Sequence, residues 1–500
     1  MRDFMKKYFV FLLLSGSLIS SLFAQPKTIT LLHTNDMHAS FVPHEATWIK
    51  TDPKPMVGGF NELSFVVDSM RHAHPVTMLL DAGDVMTGNP ITEYPFRGAD
   101  GGALFEMMNR IGYEVWTPGN HDFDVSSANL RKLIDIASFP VTAANIVDPT
   151  GAYPIHNIQF KIIEKNGLKI GVIGLMSSDF YNLVNKKSSQ GIVILPPVET
   201  LKKLISELRP KTDLLIALTH QGVDDDTKLA EQLTGLDVIV GGHSHTRLKT
   251  PKVVNGVIIV QTGSNCENLG YLDLTVENHK VTASQGGLIQ LWYNSSRPKT
   301  ILSLFIDSLQ NKIDMDYAEV IGTLKSDWTR GKGESNVGNF IADGQREAIG
   351  ADVGFMNDHG IRRDVPTGPL TKRALFEVLP FRNILTTFSV TGVQLKNIVE
   401  FYIKEKPPIQ TSGLQVQWKH DANGSIQFSS FFVNGKSLDE KKTYTIAASD
   451  YLVGEAKRHF GLEVTNANYS DLTVFSVMEK KVRTEKNINS KIENRIQEIK

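Results

Sequence analysis

Along residues 28–290, short apolar runs alternate with longer stretches whose hydrophobic positions recur every three or four residues. Thr28–Leu32, Val76–Leu80, Pro140–Ala144, Lys169–Leu175, Asp213–Leu218, Val238–Val240 and Val257–Val260 read as strands of a mostly buried sheet. Phe60–Arg71, Gly102–Ile111, Ser126–Ile136 and Thr200–Leu208, between them, carry the helical period. Strands in alternation with helices predict an α/β fold. Beyond it, Leu302, Phe305, Ile306, Leu309 and Ile313 form one apolar stripe and predict a connecting helix just after Arg297-Pro298. From residue 319 the pattern changes. Helices are expected over Ser335–Ile349 and Gly392–Ile403, and strands over Thr386–Val390, Ser425–Val433 and Thr443–Ala447, a separate and smaller α+β unit. Met478–Lys500, rich in Lys, Glu and Asn, reads as a surface helix or frayed tail.

The first residues do not belong to this pattern. Arg2, Lys6 and Lys7 precede an apolar run, and Leu22-Phe23-Ala24 fits cleavage before Gln25. Residues 1–24 are therefore read as a signal peptide, and the protein as exported to the periplasm or the extracellular space. The apolar part is short for a membrane-spanning helix. The divisions expected are 1–24, 25–298, 299–318 and 319–500.

A chain of 500 residues exceeds one ordinary core, which agrees with two units. Its 41% hydrophobic and 21% charged content is that of a globular protein. A net charge of −1 supplies no basic surface for nucleic acid, so phosphate binding is expected to be local. The single cysteine, Cys266, excludes an internal disulfide and reads as a buried small residue. Neither a P-loop nor a dinucleotide-binding glycine motif occurs. Nothing in the pattern specifies an oligomeric state.

Candidate chemistry falls where the strands end. Leu32-His33-Thr34-Asn35-Asp36-Met37-His38, Asp81-Ala82-Gly83-Asp84, Pro118-Gly119-Asn120-His121-Asp122-Phe123-Asp124, Leu218-Thr219-His220-Gln221-Gly222 and Gly241-Gly242-His243-Ser244-His245-Thr246 each follow a strand-like run. Ligands collect outside the carboxyl ends of strands in open α/β sheets, so the five loops are expected to converge on one sheet edge. Taken singly, each is an ordinary polar loop. Together, Asp36, His38, Asp84, Asn120, His220, His243 and His245 supply oxygen and imidazole donors and no sulfur, a set suited to Zn²⁺, Mn²⁺, Fe or Co rather than Ca²⁺. Seven donors exceed the need of one tetrahedral ion, and two divalent ions sharing a carboxylate fit better. Paired ions are the usual device for hydrolysing phosphate esters. His33, His44, His72, His74 and His359 are read as surface or packed histidines, and Asp224-Asp225-Asp226 as a solvated loop.

The succession Asp-x-His, Gly-Asp, Gly-Asn-His-Asp, strand-end His and Gly-His-x-His resembles the calcineurin-like metallophosphoesterases. Asn35-Asp36-Met37-His38, Gly119–Asp124 and Gly241–His245 are similar to the exported 5′-nucleotidase/UDP-sugar hydrolase family. That likeness extends through Glu334–Asp343, Gly360-Ile361-Arg362 and Leu379–Asn383. The resemblance implies a four-layer α/β/β/α sandwich followed by a smaller substrate-recognition domain. It implies one ion on Asp36, His38 and His245, a second on Asn120, His220 and His243, and Asp84 as the bridge. It further implies His121 as the catalytic histidine, Asp124 as its partner and Arg362 as a substrate contact. Asp122, where the family often has Glu, reads as a supporting carboxylate.

Two departures bear on the substrate. The region Pro407–Gly413 lacks the aromatic expected to stack on a nucleobase, and the late Gly-Gly-Asp-Gly-Tyr is absent, although Tyr451 lies nearby. The reading is a dinuclear-metal phosphohydrolase acting on a small phosphate ester, a nucleoside 5′-monophosphate or related nucleotide. UDP-sugar hydrolysis, 2′,3′-cyclic-nucleotide phosphodiesterase and sulfur-ester hydrolysis are its alternatives on the same site. A non-catalytic binding protein is disfavoured by the intact set of seven donors plus His121.

Overall fold

The computed structural model describes residues 26–184, 186–331, 333–406 and 409–499, so the segment read as a signal peptide lies outside the described residues. The apolar runs of the N-terminal half do not build one sheet. Lys27–Thr34, Thr77–Asp81 and Val115–Trp116 pair in parallel, and an antiparallel hairpin, Asn268–Glu277 with Lys280–Gln290, completes a five-stranded sheet beside the first of them. Leu168–Met176, Leu214–His220, Val238–Gly241 and Val257–Val260 run parallel in a second, six-stranded sheet, edged by Phe160–Lys165 and Lys252–Val254.

The period of two sorts their side chains into layers. Ile29, Leu31, Met78 and Leu80 of the first sheet share one buried cluster with Ile170, Val172, Ile216 and Leu218 of the second. Leu32 and Leu79 point the other way, into a cluster with Phe60, Leu63 and Phe105 of helices Phe60–Ala73 and Gly102–Ile111. Ile173, Leu175, Leu215 and Ala217 pack outward on Leu201, Leu204 and Leu208 of helix Pro197–Leu208. The result is helix, sheet, sheet, helix: four layers around three apolar seams.

Pro140–Ala144, expected as a strand, makes only isolated bridges, Trp116 with Val141 and Thr142 with Ile158. The segment runs beside the edge of the first sheet, where the Thr142 N–H donates to the Trp116 carbonyl at 2.9 Å, and reaches the second through the Ala144 N–H, which donates to the Gly174 carbonyl at 2.8 Å. The expected helix after Pro298 is present as Ile301–Tyr317, opened by a Thr300/Ser303 capping box. Its Leu302, Ile306, Ile313 and Tyr317 join the outer cluster of the first sheet, and Tyr317 meets Phe376 of the C-terminal half edge to face at 5.8 Å.

The C-terminal half folds around a five-stranded sheet in the order Ile409–Ser412, Val353–Asn357, Thr443–Ser449, Ile384–Thr391, Asn468–Thr473. Helices Asn336–Ala348 and Gly392–Glu405 pack on it. The tail differs from its expectation. After helix Val474–Glu485, Asn487–Ile488 pairs with Val320–Leu324, and Ile496–Glu498 pairs with Leu414–His420, so the end of the chain is strapped into two further sheets. Among the described residues, no helix is long and apolar enough to cross a membrane.

Candidate metal centre

All five loops converge, but from two sheets rather than one. Asp36, Asp84 and Asn120 follow strands of the first, while His220 ends, and His243 and His245 follow, strands of the second. The site therefore lies where the open ends of the facing sheets meet. Asp36, His38 and His245 form one group whose donor atoms all lie within 4.8 Å of one another; Asp84, His220 and His243 form another. The Nε2 atoms of His38 and His245 are 3.0 Å apart, and His245 Nε2 is 3.4 Å from Asp36 Oδ1. His220 Nε2 lies 3.1 Å from Asp84 Oδ2, and His243 Nδ1 lies 3.0 Å from Asn120 Oδ1, which brings in the seventh candidate.

The backbone beneath this cluster is unusual. Asp36, His38, Asp84, His243 and His245 all have positive φ, between 46° and 78°. Side chains rarely tolerate that region, and such strain persists only where surroundings enforce it. Asp122 does much of the enforcing. Its carboxylate accepts hydrogen bonds from the backbone N–H groups of Asp84, Val85, Met86 and Gly119 at 2.7–3.0 Å. Asn35 donates to Asp36 Oδ2 at 2.6 Å, and the His243 N–H donates to the same oxygen at 2.9 Å. Gly119 has to be glycine for space, since a Cβ would fall 2.2 Å from Asp84 Oδ1.

The donors fit divalent ions. His220 Nδ1 faces the Ala82 carbonyl at 2.7 Å, and a carbonyl only accepts, so Nδ1 carries a proton and Nε2 is the atom turned to the site, 3.1 Å from Asp84 Oδ2. That Nε2 is sealed from water. His38 and His245 likewise aim two ring nitrogens at one point beside a buried carboxylate. Such convergence, costly when empty, is what a cation would satisfy. Burial opposes ionisation of Asp84, yet the imidazoles of His220 and His121 hold its carboxyl well below the usual carboxylate range.

His121 stands beside the ligand candidates. Its N–H donates to Asp84 Oδ1 at 2.8 Å, and its Nδ1 meets Asp124 Oδ2 at 2.8 Å, where the Thr87 hydroxyl also donates. Burial pushes the His121 pKa down, but the carboxylates of Asp124 and Asp84 outweigh it and raise it to about 10. A proton held on Nδ1 by Asp124 leaves Nε2 free for a substrate oxygen.

His121 and Asp124 line a cavity of about 320 Å³ that the C-terminal half closes with Arg362, Arg382, Phe381 and Tyr451. Arg362 has its guanidinium 5.7 Å from the Phe381 ring centre. Arg382 pairs with Glu93 of the N-terminal half at 2.8 Å, and Arg363 pairs with Glu377. Four aromatic side chains line the same cavity: Phe381, Tyr451, Tyr181 and Tyr469. Phe381 lies in Leu379-Pro380-Phe381-Arg382-Asn383, where a bulky apolar residue between Pro and Arg was the available sequence signal.

Among the other residues singled out, His33 is buried, His44 faces Glu267 at 3.4 Å, His74 faces Asp273 at 3.3 Å and His359 lines the cavity. Cys266 is buried, and burial pushes its thiol up to about 12. The acidic run is not a solvated loop: it forms the first turn of helix Val223–Gln232, and Asp226 is fully buried.

A family model described as calcineurin-like phosphoesterase matches residues 29–247, and one described as 5′-nucleotidase, C-terminal domain, matches residues 320–461. A 5′-nucleotidase of Vibrio vulnificus (strain CMCP6) is 29% identical over 483 residues, covering 85% of this chain and 84% of that protein. Protein UshA of Escherichia coli (strain K12) is 26% identical over 491 residues, 86% of each. Among solved structures, a 5′-nucleotidase precursor from Thermus thermophilus aligns with a TM-score of 0.72 at 26% identity, covering 95% of this chain and 99% of that one. A sulfate thiohydrolase, SoxB, of the same genus shares the fold at a TM-score of 0.65 and 17% identity, covering 94% of this chain and 96% of that one.

Proposed function

The chain belongs to the calcineurin-like metallophosphoesterases that carry a 5′-nucleotidase C-terminal domain, and on that premise we propose that it releases phosphate from nucleoside 5′-monophosphates or related nucleotides. It is a metal-dependent phosphoester hydrolase. The observation that carries the substrate reading is one cavity shared by His121 and Asp124 on one side and by Arg362, Phe381 and Tyr451 on the other. A guanidinium suits phosphate, and flat rings suit a base.

Asp36, His38 and His245 would hold one divalent ion; Asn120, His220 and His243 would hold a second, with Asp84 between them. When bound, the ions supply charge neutralisation on the phosphoryl oxygens and an acidified water. The chain's own residues do the rest. Arg362 draws the phosphoryl group toward the cavity floor. Phe381 and Tyr451 hold the leaving nucleoside and exclude water. His121 delivers a proton from Nε2 to the departing oxygen, with Asp124 fixing ring orientation and stabilising the imidazolium.

The test is phosphate release in the presence of Mn²⁺ or Zn²⁺ from AMP, UDP-glucose, cyclic nucleotides and an aryl phosphate. Preference for AMP supports the reading; release from the aryl phosphate alone removes the nucleotide and leaves the metal chemistry. We read residues 1–24 as an export signal. Mass spectrometry of the secreted protein should then find Gln25 at its N-terminus.

A further inference from the structure

The acidic run after His220 ends in a carboxylate with no part in the chemistry above. Asp226 sits one turn into helix Val223–Gln232, fully buried. Its Oδ1 accepts from the Thr219 hydroxyl at 2.7 Å and from the Gln221 side-chain amide at 3.0 Å, the two residues that flank His220. Its Oδ2 is sealed from water, has no partner and lies against Gly241, where a Cβ would come within 2.2 Å of it.

Thr219 and Gly241 are opposed in register, the last pair of the parallel strands Leu214–His220 and Val238–Gly241. His220 comes one residue after the first of them, and His243 two residues after the second. A buried carboxylate with an unpaired oxygen costs stability, and a leucine there would fill the space more cheaply. What an apolar side chain lacks is the ability to grip both neighbours of His220 while bearing on the backbone that leads to His243.

We propose that Asp226 is a positioning residue that sets His220 and His243 as a pair. It thereby tunes the affinity of the ion held with Asp84 and leaves the ion of Asp36, His38 and His245 largely untouched. The inference rests on the two-ion reading above.

The test titrates metal-free full-length protein with Co²⁺, followed by calorimetry and visible absorption, beside the melting temperature of the metal-free form. In Asp226→Ala, one of two binding events should weaken roughly 10- to 100-fold, the usual effect of removing a partner that orients a metal ligand. The other event should stay within about twofold. Asp226→Asn keeps the Oδ1 acceptor and should restore the weakened event to within about threefold, a rescue that a charge or general stability effect would not give. An unmoved Asp226→Ala isotherm, or equal weakening of both events, overturns the proposal. Should Asp226→Ala fail to fold, Thr219→Val removes one of the two donors and should weaken the same event at least about threefold; an unmoved isotherm overturns it there too. Wild-type protein that takes up no Co²⁺ sinks the two-ion reading and this inference together. Two wild-type events with no selective loss sink the inference alone.

Discussion

At the scale of single residues, the least expected consequence comes from His33. It lies within strand Lys27–Thr34, 1% exposed, with its ring against Gly270, where a Cβ would come within 2.2 Å. Nδ1 has no partner, and burial pushes the pKa from 6.5 to about 3. The folded chain therefore keeps this imidazole neutral while the unfolded chain protonates it below pH 6.5. Below that pH the unfolded state binds more protons, so stability is lost as pH falls from 6.5 toward 3. Each pH unit costs about 1.4 kcal/mol, or about 2 kcal/mol by pH 5. In urea unfolding of metal-free protein at pH 7 and pH 5, the change between the two pH values should differ by about that amount between wild type and His33→Phe, which keeps a flat ring. His121 answers to a different measurement. His121→Ala should retain both ions by elemental analysis yet turn over about 10²- to 10⁴-fold more slowly; full turnover would end its assignment as acid.

At the scale of elements, the loops matter more than the strands that carry them. Gly119 opens the turn in which Asn120 and His121 sit. Adding one methyl group there would collide with Asp84 Oδ1 at 2.2 Å and with the Asp84 N–H nitrogen at 2.5 Å, both held by neighbours that cannot retreat. Gly119→Ala is expected to abolish binding of at least one ion and to lower the melting temperature by several degrees, on a loss of about 2 kcal/mol; intact metal content would show the turn to be softer than its contacts imply. Much of this level was readable in advance. Helices Gly102–Ile111 and Gly392–Glu405 begin where their periodicity begins, the second behind a Thr391/Gln394 capping box. All seven ligand candidates stood out because a polar cluster after an apolar run is a strong local signal. Asn268–Gln290 was not legible because Asn268–Glu277 alternates buried and half-buried positions, while Lys280–Gln290 has no fully buried position and carries a Gly286-Gly287 pair inside it. Asp226 escaped because a run of three acids looks solvated until the helix it starts is folded back onto a strand end.

At the scale of the whole molecule, strand order decides what sequence reading could not. Parallel strands pair across long connections, so the period of two reveals that runs are buried but not which sheet each joins. The apolar runs alone read as one sheet, and the resemblance implied the two facing sheets that are found; the ion groups draw on both. The substrate cavity was hidden for the same reason, since its walls come from residues 121–186 and 357–469. Helix Ile301–Tyr317 shares its buried side chains with the N-terminal half, while Tyr317 and the Asp314–Arg373 ion pair reach the C-terminal one. A fragment of residues 26–318 should accordingly fold, bind both ions and hydrolyse an aryl phosphate. It should lose at least about tenfold in its kcat/KM preference for AMP over that ester, the worth of one charged phosphate contact. An unchanged preference would mean that the C-terminal half does not choose the substrate.

The positive φ angles beneath Asp36, His38, Asp84, His243 and His245 also bear on how such a site survives in a lineage. Each holds a side chain in backbone that glycine enters freely and other residues enter at about 1–2 kcal/mol. Stability alone would drift these positions toward glycine or asparagine, with nothing to restrain the change once the reaction lost its use. At these five positions the aspartate and histidine side chains are what the candidate ion site uses, so backbone ease is given up where the donors stand.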